Sequence, residues 1–285
     1  MTIPEILQQL QRVPNKTDFA PYQAALLSAR EQREAITPEL IAAIDRVSDD
    51  PARLLKDPEN CLHLFAILLL AEFRETRALD CFLRFFSLPG ESVLDLTGDM
   101  VTEQGAAMLA SVCGGDSAPL LRLAHDESIN MFVRGQAIDS LLVQHAWGER
   151  SREAVIEELR QLFGSLAKPG DGYVWASLIG AICDFGAREL VPDGRRAFAG
   201  ELVDETVVDV ESLDELLSPE TAKYPLPPGQ THFGNFCERN QPIDAVAECS
   251  GWLCFHDEEP HFSSWEDEMA EDELLMGENN DQFAR

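Results

Sequence analysis

Apolar residues return every three or four positions over most of this chain, and the spacing is clearest between Asp116 and Arg150. In DSAPLLRLAHDESINMFVRGQAIDSLLVQHAWGER, Asp116 or Ser117 is placed to cap a helix, with Pro119 in its first turn where a missing N–H costs nothing. Leu120, Leu121, Leu123 and Ala124 give a short apolar face, and Asp126, Glu127, Ser128 and Asn130 then form a turn. A second helix opens near Met131, its apolar positions Phe132, Val133, Ala137, Ile138, Leu141, Leu142 and His145 following a helical period. Gly135 and Ala137 are small enough for a neighbouring helix to approach closely, so the spacing predicts an antiparallel pair packed ridge into groove.

Comparable units flank this one. Residues 61–86 read as two apolar helices broken at Arg74–Thr76, and 100–115 carry Gly105, Ala106 and Ala107 where the later unit has Gly135 and Ala137. Residues 151–166 and 173–198 continue the series. Ala66, Ala107 and Ala137 lie 41 and 30 residues apart, the drifting period of degenerate two-helix repeats. Stacked units bury a continuous core that no single unit buries alone.

Upstream, the pattern predicts helices over 3–13 and 19–33 and a third capped by Thr37, with Pro38 at its first position and Leu40, Ile41, Ile44 and Val47 inward. VDETVVDV (203–210) is the one fair strand candidate, and it runs into Ser212–Glu215, a capping box that starts another helix. The expected fold is all-α: an α-α superhelix, a right-handed solenoid of helix pairs over 1–217. A proline-rich strap or linker (218–256) with Pro219, Pro225, Pro227 and Pro228 follows, then an irregular acidic tail (257–285), either disordered or a weak docking helix.

Charge narrows the list of partners. The net charge is −29, and residues 201–285, with 22 acidic against 3 basic residues, supply −19 of it. Such a surface repels phosphate backbones and anionic membranes, so nucleic acid and membrane are excluded as partners; it reads either as a solvated, solubilising surface or as an acidic lure for a basic protein or peptide. The most apolar run, Leu62 to Ala71, is about half a bilayer span and reads as a core helix. An odd count of seven cysteines, several within apolar helical patterns, suits reduced packing residues of a cytoplasmic protein.

Catalytic signatures are absent: there is no GxSxG, HExxH, P-loop or GxGxxG in a strand–helix setting. His125 and His145 lie where neighbouring helices could bring them together beside Asp126, without a nucleophile or third ligand. Cys237, Cys249, Cys254 and His256 have the donor types of a tetrahedral zinc site, but eleven, four and one residues separate them, unlike a tight CxxC knuckle. The competing reading has Trp252, Leu253 and Phe255 packing the strap onto the helices and carrying the cysteines along.

The segment DESINMFVRGQAIDSLL resembles a HEAT-type repeat, with Asp126 before the turn and Val133, Arg134 and Ala137 heading the second helix. The run LLVQHAWGERSREAVIEELRQLF, together with ICDFGARELVP, the Arg196-Ala197-Phe198 triplet and ECSGWLCF, resembles the bacterial family DUF1186 over most of residues 1–255. Members of that family often carry a SEC-C zinc motif; here no CxC followed by CC or CH occurs. The resemblance implies a fold and no activity. The expected function is a non-enzymatic scaffold that takes a protein or peptide on the concave face of the solenoid, without a cofactor, Arg134, Asp139 and Gln144 being the contacts that helical geometry selects. The alternative is a zinc-binding or enzymatic protein that uses the C-terminal Cys/His cluster.

Overall fold

The computed structural model describes residues 1–14, 16–166, 171–218, 226–227 and 229–256. All regular elements among them are helical, and the one extended pairing is a bridge between Arg12 and Asn60. The acidic stretch from 257 onward and Pro219, Pro225 and Pro228 lie outside the described residues. None of the described helices is long and apolar enough to cross a membrane.

The first elements are α1 (Ile3–Gln11), α2 (Ala20–Glu31), α3 (Arg33–Asp49) and the single turn α4 (Pro51–Leu54). The expected cap at Thr37 is replaced by an earlier start. α3 begins at Arg33 and runs through Pro38, and Thr37 Oγ1 donates back to the Arg33 carbonyl at 2.9 Å. Proline sits only a turn and a half from the N-terminus, where one backbone bond is lost and the apolar stripe Ile36, Leu40, Ala43, Ile44 and Val47 compensates by burial.

Next come α5 (Leu62–Glu72) and α6 (Leu79–Phe86), separated at Arg74, whose φ of 49° reverses the chain. A short α7 (Ser92–Thr97), which the periodicity did not reveal, leads into α8 (Met100–Cys113). The pairs α9 (Ala118–His125) with α10 (Met131–Ala146) and α11 (Arg152–Ser165) with α12 (Gly172–Phe185) follow at the expected places. α13 (Val191–Ala199) and α14 (Glu211–Leu217) complete the body. No strand forms over 203–210, and just ahead of α14 the Asp209 Oδ1 accepts from the Ser212 N–H at 3.0 Å.

A row of helices stands side by side: α5 against α8, α8 against α10, and α10 against α12. Glycine makes two of these contacts possible. A Cβ at Gly105 of α8 would stand 2.9 Å from Gln136 Cγ of α10, and one at Gly135 would stand 2.6 Å from Ser177 Oγ of α12. With the backbones that close, Gln136 Oε1 accepts from the Ala106 N–H at 2.9 Å and Ser140 Oγ donates to the Ala106 carbonyl at 3.0 Å. Gly135→Ala should therefore lower stability by about 1–3 kcal/mol through overpacking, despite the better helix propensity of alanine. Urea unfolding checks this, and a variant as stable as the parent would mean that α10 and α12 slide apart freely.

The proline-rich run is followed by two helices in a region where no periodicity was visible, α15 (His232–Arg239) and α16 (Ala245–Ser250), and by a final 3-10 turn at Leu253–Phe255. α15 packs on α12, whereas α16 packs on α5 and α2 at the opposite end of the row. Residues 231–256 thus travel back across this row.

Candidate functional site

Each segment of this return path is anchored by specific chemistry. Phe233 of α15 contacts the rings of Phe185 and His145, at centroid distances of 5.3 and 5.6 Å. Arg239 reaches Asp184 at 3.4 Å, and the Trp147 indole N–H donates to the Asn240 carbonyl at 3.3 Å. Further along, Glu72 accepts from the Ala245 N–H at 2.8 Å and also pairs with Arg30 at 2.5 Å, while Arg30 pairs with Asp244, the cap of α16. Trp252 packs on Phe65 at 4.9 Å, Phe255 packs on Phe19 and Tyr22, and the Thr17 N–H donates to the Cys254 carbonyl at 2.9 Å. Phe236, Ile243, Ala245 and Cys249 are buried, so the strap is part of the core and not a loose tether.

Trp252 and Phe255 thus pack the strap as the sequence suggested, but Leu253 does not. It is 63% exposed, more than any other exposed large apolar side chain of the described residues. It stands at the rim of a cleft of about 680 Å³ between α5, the start of α8 and α16. Leu64, Leu68 and Met100 form apolar walls, with Trp252 on the strap side. Asp99, Glu103 and Glu248 also line the cleft, and among the described residues no lysine or arginine does. Gln104 Nε2 donates to Glu248 at 3.0 Å. Burial raises the Glu248 carboxyl above its ordinary range, and the nearby Glu103 and Asp244 carboxylates add to the rise.

The three contact residues chosen from helical geometry are placed differently from one another. Arg134 is 2% exposed: its guanidinium makes two bonds to Asp171 at 2.7 and 2.9 Å, and Nε donates to the Ala124 carbonyl at 3.0 Å. Gln144 is fully buried, with Nε2 donating to the Asp116 carbonyl at 3.2 Å. Both are therefore internal ties, Gln144 within its own unit and Arg134 also to the start of α12, and unavailable to a partner in this fold. Asp139 lies near α15: Asp184 and Arg239 act on its charge, and it acts on that of Tyr173. It keeps a little accessible surface but is densely surrounded, and burial, with Asp184 adding, pushes its carboxyl up to about 8. Asp184 is also raised by burial, with Arg239 and His232 pulling it back.

The proposed zinc donors do not converge. Among the described residues no group of three or more His, Cys, Asp or Glu side chains is arranged to hold a metal ion. Cys249 is buried, Cys237 belongs to α15, and His256 Nε2 lies 2.9 Å from the Ser250 carbonyl. All seven cysteines are free thiols. Burial pushes Cys61 up to about 11 and Cys81, Cys113 and Cys183 up to about 12, so these thiols are protonated packing groups and not nucleophiles. His125 and His145 have separate partners: Ser165 Oγ at 3.3 Å for the first and the Arg150 carbonyl at 2.9 Å for the second.

Asp184, Arg239, Glu72 and Asp244 carry much of the strap's attachment, and sequence reading missed all four. Their partners lie 55 residues away for Arg239 and Asp184, and 173 for the Ala245 N–H and Glu72. No local pattern encodes such a pairing.

An all-helical body, tied across a row of its helices by its own C-terminal segment, is the class of protein that the fold defines. The chain belongs to DUF1186, a family of proteins of unknown function, whose model matches residues 1–225. An uncharacterized protein of Chlamydia trachomatis is 30% identical over 197 residues, covering 69% of this chain and 78% of its own length. Another, from Chlamydia muridarum, is 29% identical over 197 residues, covering 69% and 79%. No solved structure matches the chain. The family match ends before α15, so the strap's helices lie beyond it.

Proposed function

We propose that this protein is a cytoplasmic, non-enzymatic interaction scaffold, a HEAT-like solenoid of helix pairs that takes a protein segment on the face of its second helices. The carrying observation is the cleft between α5, α8 and α16, where row and strap stand apart and leave apolar walls beside the exposed Leu253. A stacked-repeat body commonly presents such an extended surface. The row already holds a segment of this shape, since 231–256 lie on it through aromatic anchors and carboxylate bonds. In this reading the partner docks beside the strap, on a surface that body and strap build together. Seven free thiols suit a reducing compartment.

The test is affinity capture with full-length protein in three forms: parent, Leu253→Asp, and Val207→Asp, which places a charge at another exposed apolar position. A partner held by the parent and by Val207→Asp, and lost from Leu253→Asp, supports the reading. A partner indifferent to Leu253→Asp, or none at all, would overturn it.

A further inference from the structure

Building on that docking face, we propose that the α5–α8–α16 cleft is a receptor for a basic side chain, and that the partner is a protein segment inserting a lysine or arginine between Glu103 and Glu248, with an apolar neighbour covering Leu253. The wall chemistry selects this occupant. Leu64, Leu68, Met100 and Trp252 match the aliphatic stem of a long basic side chain, which buries its methylenes while its head group stays polar. Asp99, Glu103 and Glu248 supply negative charge, and among the described residues no lining cation neutralises it. Elsewhere on this row carboxylates are matched by the chain itself: Glu72 and Asp244 by Arg30, Asp184 by Arg239. The three cleft carboxylates have no such match among the described residues that line the cleft.

Further features agree with a cationic ligand. Gln104 Nε2 approaches Glu103 at 3.3 Å and Glu248 at 3.0 Å, holding both carboxylates toward one spot. Burial and neighbouring carboxylates disfavour the charged form of Glu248, a cost that an arriving cation relieves. Trp252 adds an aromatic side chain to the same wall. Leu253 at the rim adds an apolar contact that a free metal ion or a small inorganic cation would not use, so a protein segment is the occupant that satisfies every wall.

The probe is a short helical peptide of leucine and lysine, compared with a twin carrying glutamate for lysine, titrated calorimetrically into the full-length protein. The lysine peptide should bind and the glutamate twin should not. The Glu103→Gln/Glu248→Gln double variant should weaken binding roughly tenfold, and Leu253→Ser should weaken it as well. The pair Glu205→Gln/Glu211→Gln removes the same charge from exposed sites elsewhere and should leave affinity unchanged. Equal weakening by both double variants would mean general attraction to an acidic surface and would overturn the proposal, as would no weakening by either. Spermidine binding as tightly as the peptide would replace the protein segment by a small polyamine. The docking face is judged separately: a captured partner lost on Leu253→Asp but kept by Glu103→Gln/Glu248→Gln leaves the face standing and removes the basic side chain. A partner that neither change affects removes both.

Discussion

Replacing Arg134 by alanine should cost about 3–5 kcal/mol of unfolding free energy, the range for breaking a buried ion pair from one side. The side chain is 2% exposed and joins three elements at once. Nε satisfies the Ala124 carbonyl in the last turn of α9, one of the acceptors that a helix end leaves without an internal partner. The fork then binds both oxygens of Asp171, the N-cap residue of α12. Truncation opens a cavity, strands the Ala124 carbonyl and deprives Asp171 of its guanidinium. Arg134→Lys should recover only part of the loss, because an ammonium cannot make two parallel bonds and a third to a carbonyl. Urea denaturation with linear extrapolation reads both effects. A loss below about 1 kcal/mol for the alanine variant would show that the pair only breaks even with its desolvation cost.

Stability should also fall as pH rises from mildly acidic to mildly basic, with Asp139 as the main cause. In the folded chain its carboxyl is pushed up to about 8 by burial and by Asp184, whereas its ordinary value is 3.8. Between those values the folded state keeps a proton that the unfolded state has released, so the slope of stability against pH is negative there and levels off above about 8. The groups facing it are Asp184, which adds negative charge, Arg239 of the strap, which opposes the rise, and Tyr173, itself raised by burial and by Asp139. His232 acts on Asp184. A tenfold change in proton affinity corresponds to about 1.4 kcal/mol, so after solvent relaxation Asp139→Asn should stabilise the protein by about 1–3 kcal/mol at high pH and flatten the slope. Arg239→Ala should steepen it by removing the strap's cation. Denaturation midpoints from about pH 5 to about pH 9 decide the matter. A parent profile that rises across this window, or an Asp139→Asn profile parallel to it, would exclude Asp139 as the cause.

The helix pairs were legible because their information is local. Pro119 and Asn130 mark helix starts, and the three-and-four spacing from Val133 to Leu142 states which side of α10 is buried. Gly105 and Gly135 announced close contacts because small residues on an apolar face have few other uses. Thr37–Pro38 misled for a related reason: the pattern is a good start signal, but the inward stripe begins earlier, at Ile36, and burial outweighed one backbone bond.

Arg134 and Gln144 show where helical geometry alone stops. A polar residue on a second helix reads equally well as a surface contact or an internal tie, and only the position of Asp171 and Asp116 distinguishes the two. The strap is the larger case. Trp252 and Phe255 signalled that it packs somewhere, yet nothing near them names Phe65, Tyr22 or Phe19 as the receiving rings. The sequence by itself determined the helices and the acidic composition, since the first follow from neighbours within a few turns and the second is read directly from the residues. Only the tertiary structure decided that the strap crosses the row from α12 to α5, that Asp139 lies near Asp184 and Arg239, and that an acidic cleft stays open beside Leu253. Those outcomes depend on side chains far apart along the chain, whose meeting is set by the stacking of every helix between them.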